Sequence, residues 1–187
     1  MKYEKYYKLI EEQSKIYDKT QNCSIGQTWQ FHLLPVIQNA CKLAEIYNAD
    51  RDVVELGAIF HDYANLIDFA NSEQHHILGA ELAEKVLKED GFKQELIDKV
   101  KLCILNHRAS VLKEKFSIEE ICVADADALS HLDNVVELIC WRAYRGDDIM
   151  TCNNFVKNKI KKSYAKMSKE TQELAKDKYE SIMKVLL

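Results

Sequence analysis

Apolar residues recur at three- and four-residue spacing along most of this chain, which predicts a string of amphipathic helices. The first is expected over about 3–17. After the polar stretch DKTQNCSIGQ a second begins near Thr28 or Trp29, with Phe31, Leu34, Ile37, Ala40, Cys41, Ala44 and Tyr47 at helical spacing. Asp50 is placed to cap the next, in which Val53, Val54, Leu56, Gly57 and Phe60 lead to an adjacent His61 and Asp62. Asn71 or Ser72 should start a helix that runs to about Asp90 and stops at Gly91. Leu96, Val100, Cys103, Ile104 and His107 share one stripe of the helix that follows. Ser117 and Glu120 have the spacing of a capping box at the head of a long apolar segment. The length of that segment implies a break that the pattern does not place. Two more helices are expected over about 149–163 and 170–187, the last with a lysine-rich, solvated face.

Composition narrows the fold class. With only 5 Gly and 1 Pro, the 187 residues cannot supply the turns that a β-sandwich or barrel needs about every 8–12 residues. The expected fold is all-α, a compact single-domain helical bundle over residues 1–187, large enough to bury roughly 70% of its unfolded surface. A formal net charge of −4 gives no bulk attraction to nucleic acid or anionic membranes. The six cysteines (Cys23, Cys41, Cys103, Cys122, Cys140 and Cys152) form no CxxC pair and read as reduced core residues. A charged N-terminus and the lack of a long apolar run complete the expectation of a soluble, cytoplasmic protein with no membrane partner.

Placement makes the histidines informative. His32 falls in the first turn of an apolar helix, His61 and His107 at the ends of two others, and His75 and His76 at the opening of a fourth. His131 follows the acidic pair Asp125 and Asp127. Any one of these alone is ordinarily a hydrogen-bonded or surface histidine. A His-Asp dyad at the end of a buried helix is different, because burying a carboxylate costs several kcal/mol unless a partner or metal compensates it. Imidazole and carboxylate donors drawn from several helices suit a divalent metal cage.

The order His32, then His61-Asp62, then a distant aspartate in VADADALSHLD resembles the HD-domain superfamily of metal-dependent phosphohydrolases, whose signature is H…HD…D on a helical bundle. The flanks WQFHLLPVIQNACKLAEIYNAD, HHILGAELAEKVL and CILNHRAS fit as well. The resemblance places an HD core at about 29–145, with the C-terminal helices 146–187 packed on it. It implies that His32, His61, Asp62 and a late aspartate ligate a first metal, and that Asp62 bridges to a second held also by two more histidines. His76 matches one of those through its H-x-x-G-A context (His76, Gly79, Ala80), and His107 matches the other. Helical period alone does not choose between His76, on a face with Ala80, Ala83 and Leu87, and His75, on a face with Gly79, Leu82 and Val86. For the late aspartate, period points Asp125 inward, whereas the A-D-x-L pattern selects Asp127 and leaves Asp125 to orient a histidine.

What the resemblance implies is cleavage of a phosphate ester or anhydride by metal-activated water. The metals would be one or two divalent ions per chain: iron or manganese, with magnesium, cobalt, nickel and zinc as alternatives. The expected partner is a small phosphorylated substrate such as a nucleotide, and the six-ligand set resembles the branch that splits dinucleoside tetraphosphates. Asp62, Arg108 and Asn65 are the expected catalytic residues, with Arg108 on phosphate and Ser110 as a further donor. Arg142 and Arg145 read as surface residues. Asn65 stands where many relatives carry a lysine and offers a hydrogen bond without charge. Asp68, one turn on, is a candidate general acid but reads more simply as an exposed loop residue. Two rival expectations are a di-iron oxygenase like the inositol oxygenases on the same fold, and a sensor whose metal cage is only structural.

Overall fold

Short polar residues cut the chain into helices. The computed structural model describes residues 2–20, 27–108 and 117–186, apart from the side chain of Asn71; Cys23 and Ser110 lie outside them. Helix α1 (Glu4–Thr20) is followed by a π-helical turn, Trp29–Leu33, that runs directly into α2 (Leu34–Tyr47). Asn48 ends α2 in the left-handed region (φ 53°), which its short polar side chain tolerates. Asp50 then starts α3 (Arg51–Phe60) by accepting the backbone N–H groups of Asp52 and Val53 at 3.0 and 3.4 Å. A tight turn through His61 and Asp62 leads to the short α4 (Tyr63–Ile67) and a 3-10 turn, Phe69–Asn71. Helices α5 (His75–Glu89) and α6 (Gln94–Asn106) follow, with Gly91 at φ 77° between them.

The predicted capping box is half formed. Ser117 Oγ accepts the Glu120 N–H at 3.2 Å, but the Glu120 carboxylate turns away to accept Asn106 Nδ2 at 2.6 Å. The long apolar segment breaks at Asn134, whose backbone leaves the helical region and separates α7 (Ile118–Asp133) from α8 (Val135–Tyr144). Helices α9 (Ile149–Lys166) and α10 (Lys169–Val185) complete an all-α fold of ten α-helices among the described residues. None of these is long and apolar enough to cross a membrane.

Helix α3 is the centre of the main core. Every side chain from Val53 to Phe60 is buried, against α2, α6 and α7. A smaller core joins the second half of α7 to α8, α9 and α10 through Ala128, Leu132, Leu138, Val156 and Ile160. Gly57 marks the closest approach in the main core: a Cβ there would lie 2.8 Å from Cys103 Cβ on α6 and 3.2 Å from Val123 Cγ2 on α7. Both neighbours are held in packed helices and cannot swing aside. Gly57→Ala should therefore destabilise the fold by about 1–3 kcal/mol, read as a lower urea midpoint at unchanged slope.

Candidate metal centre

Three histidines repeat one local device. His61 follows α3 and its Nδ1 lies 2.7 Å from the carbonyl oxygen of Ala58. His107 follows α6 with Nδ1 2.6 Å from the Ile104 carbonyl, and His75 opens α5 with Nδ1 2.5 Å from the Ser72 carbonyl. A carbonyl can only accept, so each Nδ1 carries the proton and each Nε2 presents a bare lone pair. His32, on the π-helical turn, reaches the same state differently. Ser130 Oγ donates to the Asp127 carbonyl at 2.7 Å, and its oxygen accepts from His32 Nδ1 at 3.3 Å. A π-helical turn often marks a functional site, and here it carries His32 into the gap between α3 and α7.

The four Nε2 atoms converge on Asp62. Its Oδ2 lies 3.2 Å from His32 Nε2 and 3.5 Å from His61 Nε2, and its Oδ1 lies 3.2 Å from His75 Nε2 and 3.8 Å from His107 Nε2. Asp127 Oδ1 sits 3.9 Å from His32 Nε2. Donor atoms of His32, His61 and Asp127 form one compact group, and those of Asp62, His75 and His107 a second, each within 4.8 Å. One carboxylate thus faces both groups. Asn65 Nδ2 donates to Asp62 Oδ1 at 3.0 Å, and Lys166 Nζ donates to Asp127 Oδ2 at 2.7 Å and to the His107 carbonyl at 3.3 Å.

The electrostatics suit cation binding. Burial pushes His107 down to about 3, and burial also lowers His61, so both rings are neutral. Burial works to raise Asp62, but His61, His32 and His75 outweigh it and hold the carboxyl well below the usual range. Burial likewise opposes ionisation of Asp127, yet Lys166 and His131 keep it far down. Burial would lower His32, but the Asp62 carboxylate facing it raises it. Neutral imidazoles and ionised carboxylates are the donor states that a divalent ion requires. The Nε2 atoms of His61 and His32 stand 3.3 Å apart, and those of His75 and His107 3.1 Å. Facing lone pairs at that separation repel unless positive charge lies between them, so the donor set fits metal in both groups.

Five of the six sequence-expected ligands (His32, His61, Asp62, His107 and Asp127) come together here. The sixth is corrected: His75, not His76, enters the cluster. The helix starts at His75, so that ring swings back to the Ser72 carbonyl and over the turn after α3, while His76 points one residue further round and packs its ring edge on His75. Asp125 is occupied by Ser168. It is buried and accepts the N–H and Oγ of Ser168 at 3.0 and 2.7 Å, tying the α9–α10 link to α7. Arg108 is drawn to Glu73, binding its carbonyl and, at 2.8 Å, its carboxylate, which steadies the loop before His75. Arg142 pairs with Asp147 and lies over the Phe155 ring, and exposed Asp68 accepts the Ala70 N–H at 2.9 Å.

A cavity of about 270 Å³ opens beside His32, Asp62 and Asn65, walled further by Phe69, His131, Trp141, Phe155 and Lys159. Lys159 and Lys166 escaped the sequence reading because lysine on a surface helix reads as solvated. A signal was nonetheless present: both fall on the stripe of α9 that carries Cys152, Val156 and Ser163, where apolar residues belong. Ser130 left no such mark.

The chain belongs to the HD domain family, whose model matches residues 31–132. Two solved structures share the fold. A predicted HD superfamily hydrolase from an uncultured Thermotogales bacterium superposes with a TM-score of 0.68 at 20% identity, covering 98% of this chain and 88% of that one. YpgQ of Bacillus subtilis, solved in complex with ADP, gives a TM-score of 0.65 at 20% identity, covering 94% and 93%. No curated protein matches the sequence.

Two predictions follow from the geometry. His75→Ala should reduce bound metal to about one ion per chain while His76→Ala leaves it unchanged, as counted by elemental analysis. Lys166→Met, which frees Asp127 Oδ2, should weaken metal affinity about 10–100-fold in a competition titration against a chelator, with the helical signal intact.

Proposed function

We propose that this protein is a metal-dependent phosphohydrolase that cleaves a phosphate ester or anhydride of a nucleotide or other small phosphorylated metabolite. The observation that carries the reading is the Asp62 carboxylate, which presents one oxygen to each of two histidine groups at the edge of a cavity. His32, His61 and Asp127 would hold one ion and His75 and His107 the other, with Asp62 shared. Divalent ions bound there would supply the Lewis acidity that holds phosphoryl oxygens and acidifies a water.

The chain's own residues do the rest. Nδ1 hydrogen bonds fix the tautomer of each histidine, so no proton competes for Nε2. Lys166 holds one oxygen of Asp127, which leaves the other toward His32. Asn65, in the place of the lysine found in many relatives, donates to Asp62 and adds no cation, so charge on the substrate must be met elsewhere in the cavity. The overall change is attack of water oxygen on phosphorus with loss of the ester or anhydride oxygen, which departs with the balancing proton. The ADP-bound relative supports a nucleotide as the substrate class. The same reading puts the enzyme in the cytoplasm, where its scattered cysteines stay reduced.

The test pairs metal content with turnover. Purified protein should hold iron, manganese or a similar divalent ion and release phosphate or pyrophosphate from members of a nucleotide panel. His61→Ala and Asp62→Ala should lose most of the metal and the activity with it. Full metal content in both variants would sink the assignment, and oxygen uptake with ferrous iron in place of phosphate release would favour the oxygenase.

A further inference from the structure

Lys159 has no place in the scheme above, although it lines the same cavity as His32 and Asp62. Its side chain is half-buried on α9, yet among the described residues no hydrogen bond or ion pair closes on its ammonium. Asp127, Asp62 and Glu137 act on it only through space. Asp127 is already committed to Lys166, and Asp62 to the histidines and Asn65. Glu137 lines the same cavity, but no ion pair between it and Lys159 forms among the described residues. A half-buried ammonium without a partner is unfavourable on its own and becomes favourable when an anion arrives.

The rest of that wall has a definite chemistry. His131 stacks on His32 with ring centroids 5.7 Å apart and has its Nδ1 3.1 Å from Ser163 Oγ. Beyond it, Trp141 and Phe155 pack at 5.8 Å, with Arg142 lying over Phe155 and held by Asp147. Lys159 is therefore the one lysine or arginine lining the cavity among the described residues, with His32 and His131 beside it and the Trp141 and Phe155 rings further out. Trp141, Arg142, Phe155 and Lys159 lie on α8 and α9, beyond the stretch 31–132 that matches the family.

We propose that Lys159 is the anion-binding residue of this cavity, holding a phosphate of the substrate whose apolar or aromatic body rests on Trp141 and Phe155. The C-terminal helices, not the metal-bearing ones, then choose the substrate, an organic phosphate with a planar or apolar group. This rests on the phosphohydrolase reading, but the two fail separately.

Metal-replete wild type, Lys159→Met and Lys159→Arg are titrated calorimetrically with inorganic phosphate and with adenosine, with metal content measured in each. Lys159→Met should bind phosphate about tenfold more weakly, the loss of one charge-assisted hydrogen bond, with metal content and adenosine affinity unchanged. Lys159→Arg should stay within about threefold of wild type because it keeps the charge. Lys159→Met should also melt a few degrees higher, since an unpartnered cation has become apolar. Equal phosphate affinity in wild type and Lys159→Met overturns the inference, as does a wild type that binds no phosphate. Phosphate bound through Lys159 without hydrolysis of any nucleotide would instead remove the hydrolase reading and leave the anion site standing.

Discussion

Four imidazoles can aim unprotonated Nε2 atoms at one carboxylate because each has already given its Nδ1 proton to an oxygen elsewhere. Three of those oxygens are backbone carbonyls three residues back, and the fourth belongs to Ser130. Remove that constraint and each ring could place its proton on Nε2, and a hydrogen bond between rings or to Asp62 would take the place of a metal ligand. The tautomers thus decide whether this is a polar cluster or a cation cage. Burial reinforces the choice by keeping His61 and His107 neutral.

The scaffold is built to keep that constraint. Helix α3, buried on all sides from Val53 to Phe60, fixes the position of His61 within the main core, and Gly57 lets α6 and α7 close on it. The start of α5 packs close over the turn after α3, where a Cβ on Gly79 would lie in ordinary contact, 3.7 Å from the Phe60 and His61 carbonyl oxygens, and His75 sits over that turn. Lys166 then crosses from the last turn of α9 to hold both Asp127 and the His107 carbonyl. The C-terminal helices are in this way joined to those that carry the histidine cluster by a buried ion pair as well as by the second core. Such a pair contributes little net stability, but it fixes where the Asp127 carboxylate points.

Most of this was legible in the sequence, for physical reasons that differ by residue. Apolar periodicity revealed the helices, and Asp50 marked the start of α3 because an N-cap has few alternatives. His61-Asp62 stood out because a dyad at the end of a buried stripe needs compensation. His75 and His76 were not separable, since both lie in the first turn of α5 and only the start of the helix decides which ring reaches back. The motif favoured the neighbour that stands outside the cluster, one residue on, which turns a side chain by about 100°. Asn134 broke the long apolar segment without a proline or glycine to announce it. Lys159 and Lys166 were hidden by composition: a lysine's meaning depends on what its helix packs against, and that is tertiary information.

Helix ends explain why the site lies where it does. An α-helix leaves its last four carbonyls without partners along the chain, and its C-terminus carries partial negative charge. Ala58 and Ile104 fall in the last turns of α3 and α6, and their carbonyls are satisfied by His61 and His107. Each histidine therefore caps its own helix with one nitrogen and offers the other to the cage. The two helix ends also point negative potential at the same space as Asp62 and Asp127, so a cation there is favoured by backbone as well as side chain. That same field would repel a phosphate arriving without metal. An anionic substrate can be held only where positive charge offsets it, which in this cavity means the metal groups and Lys159 on the facing helix.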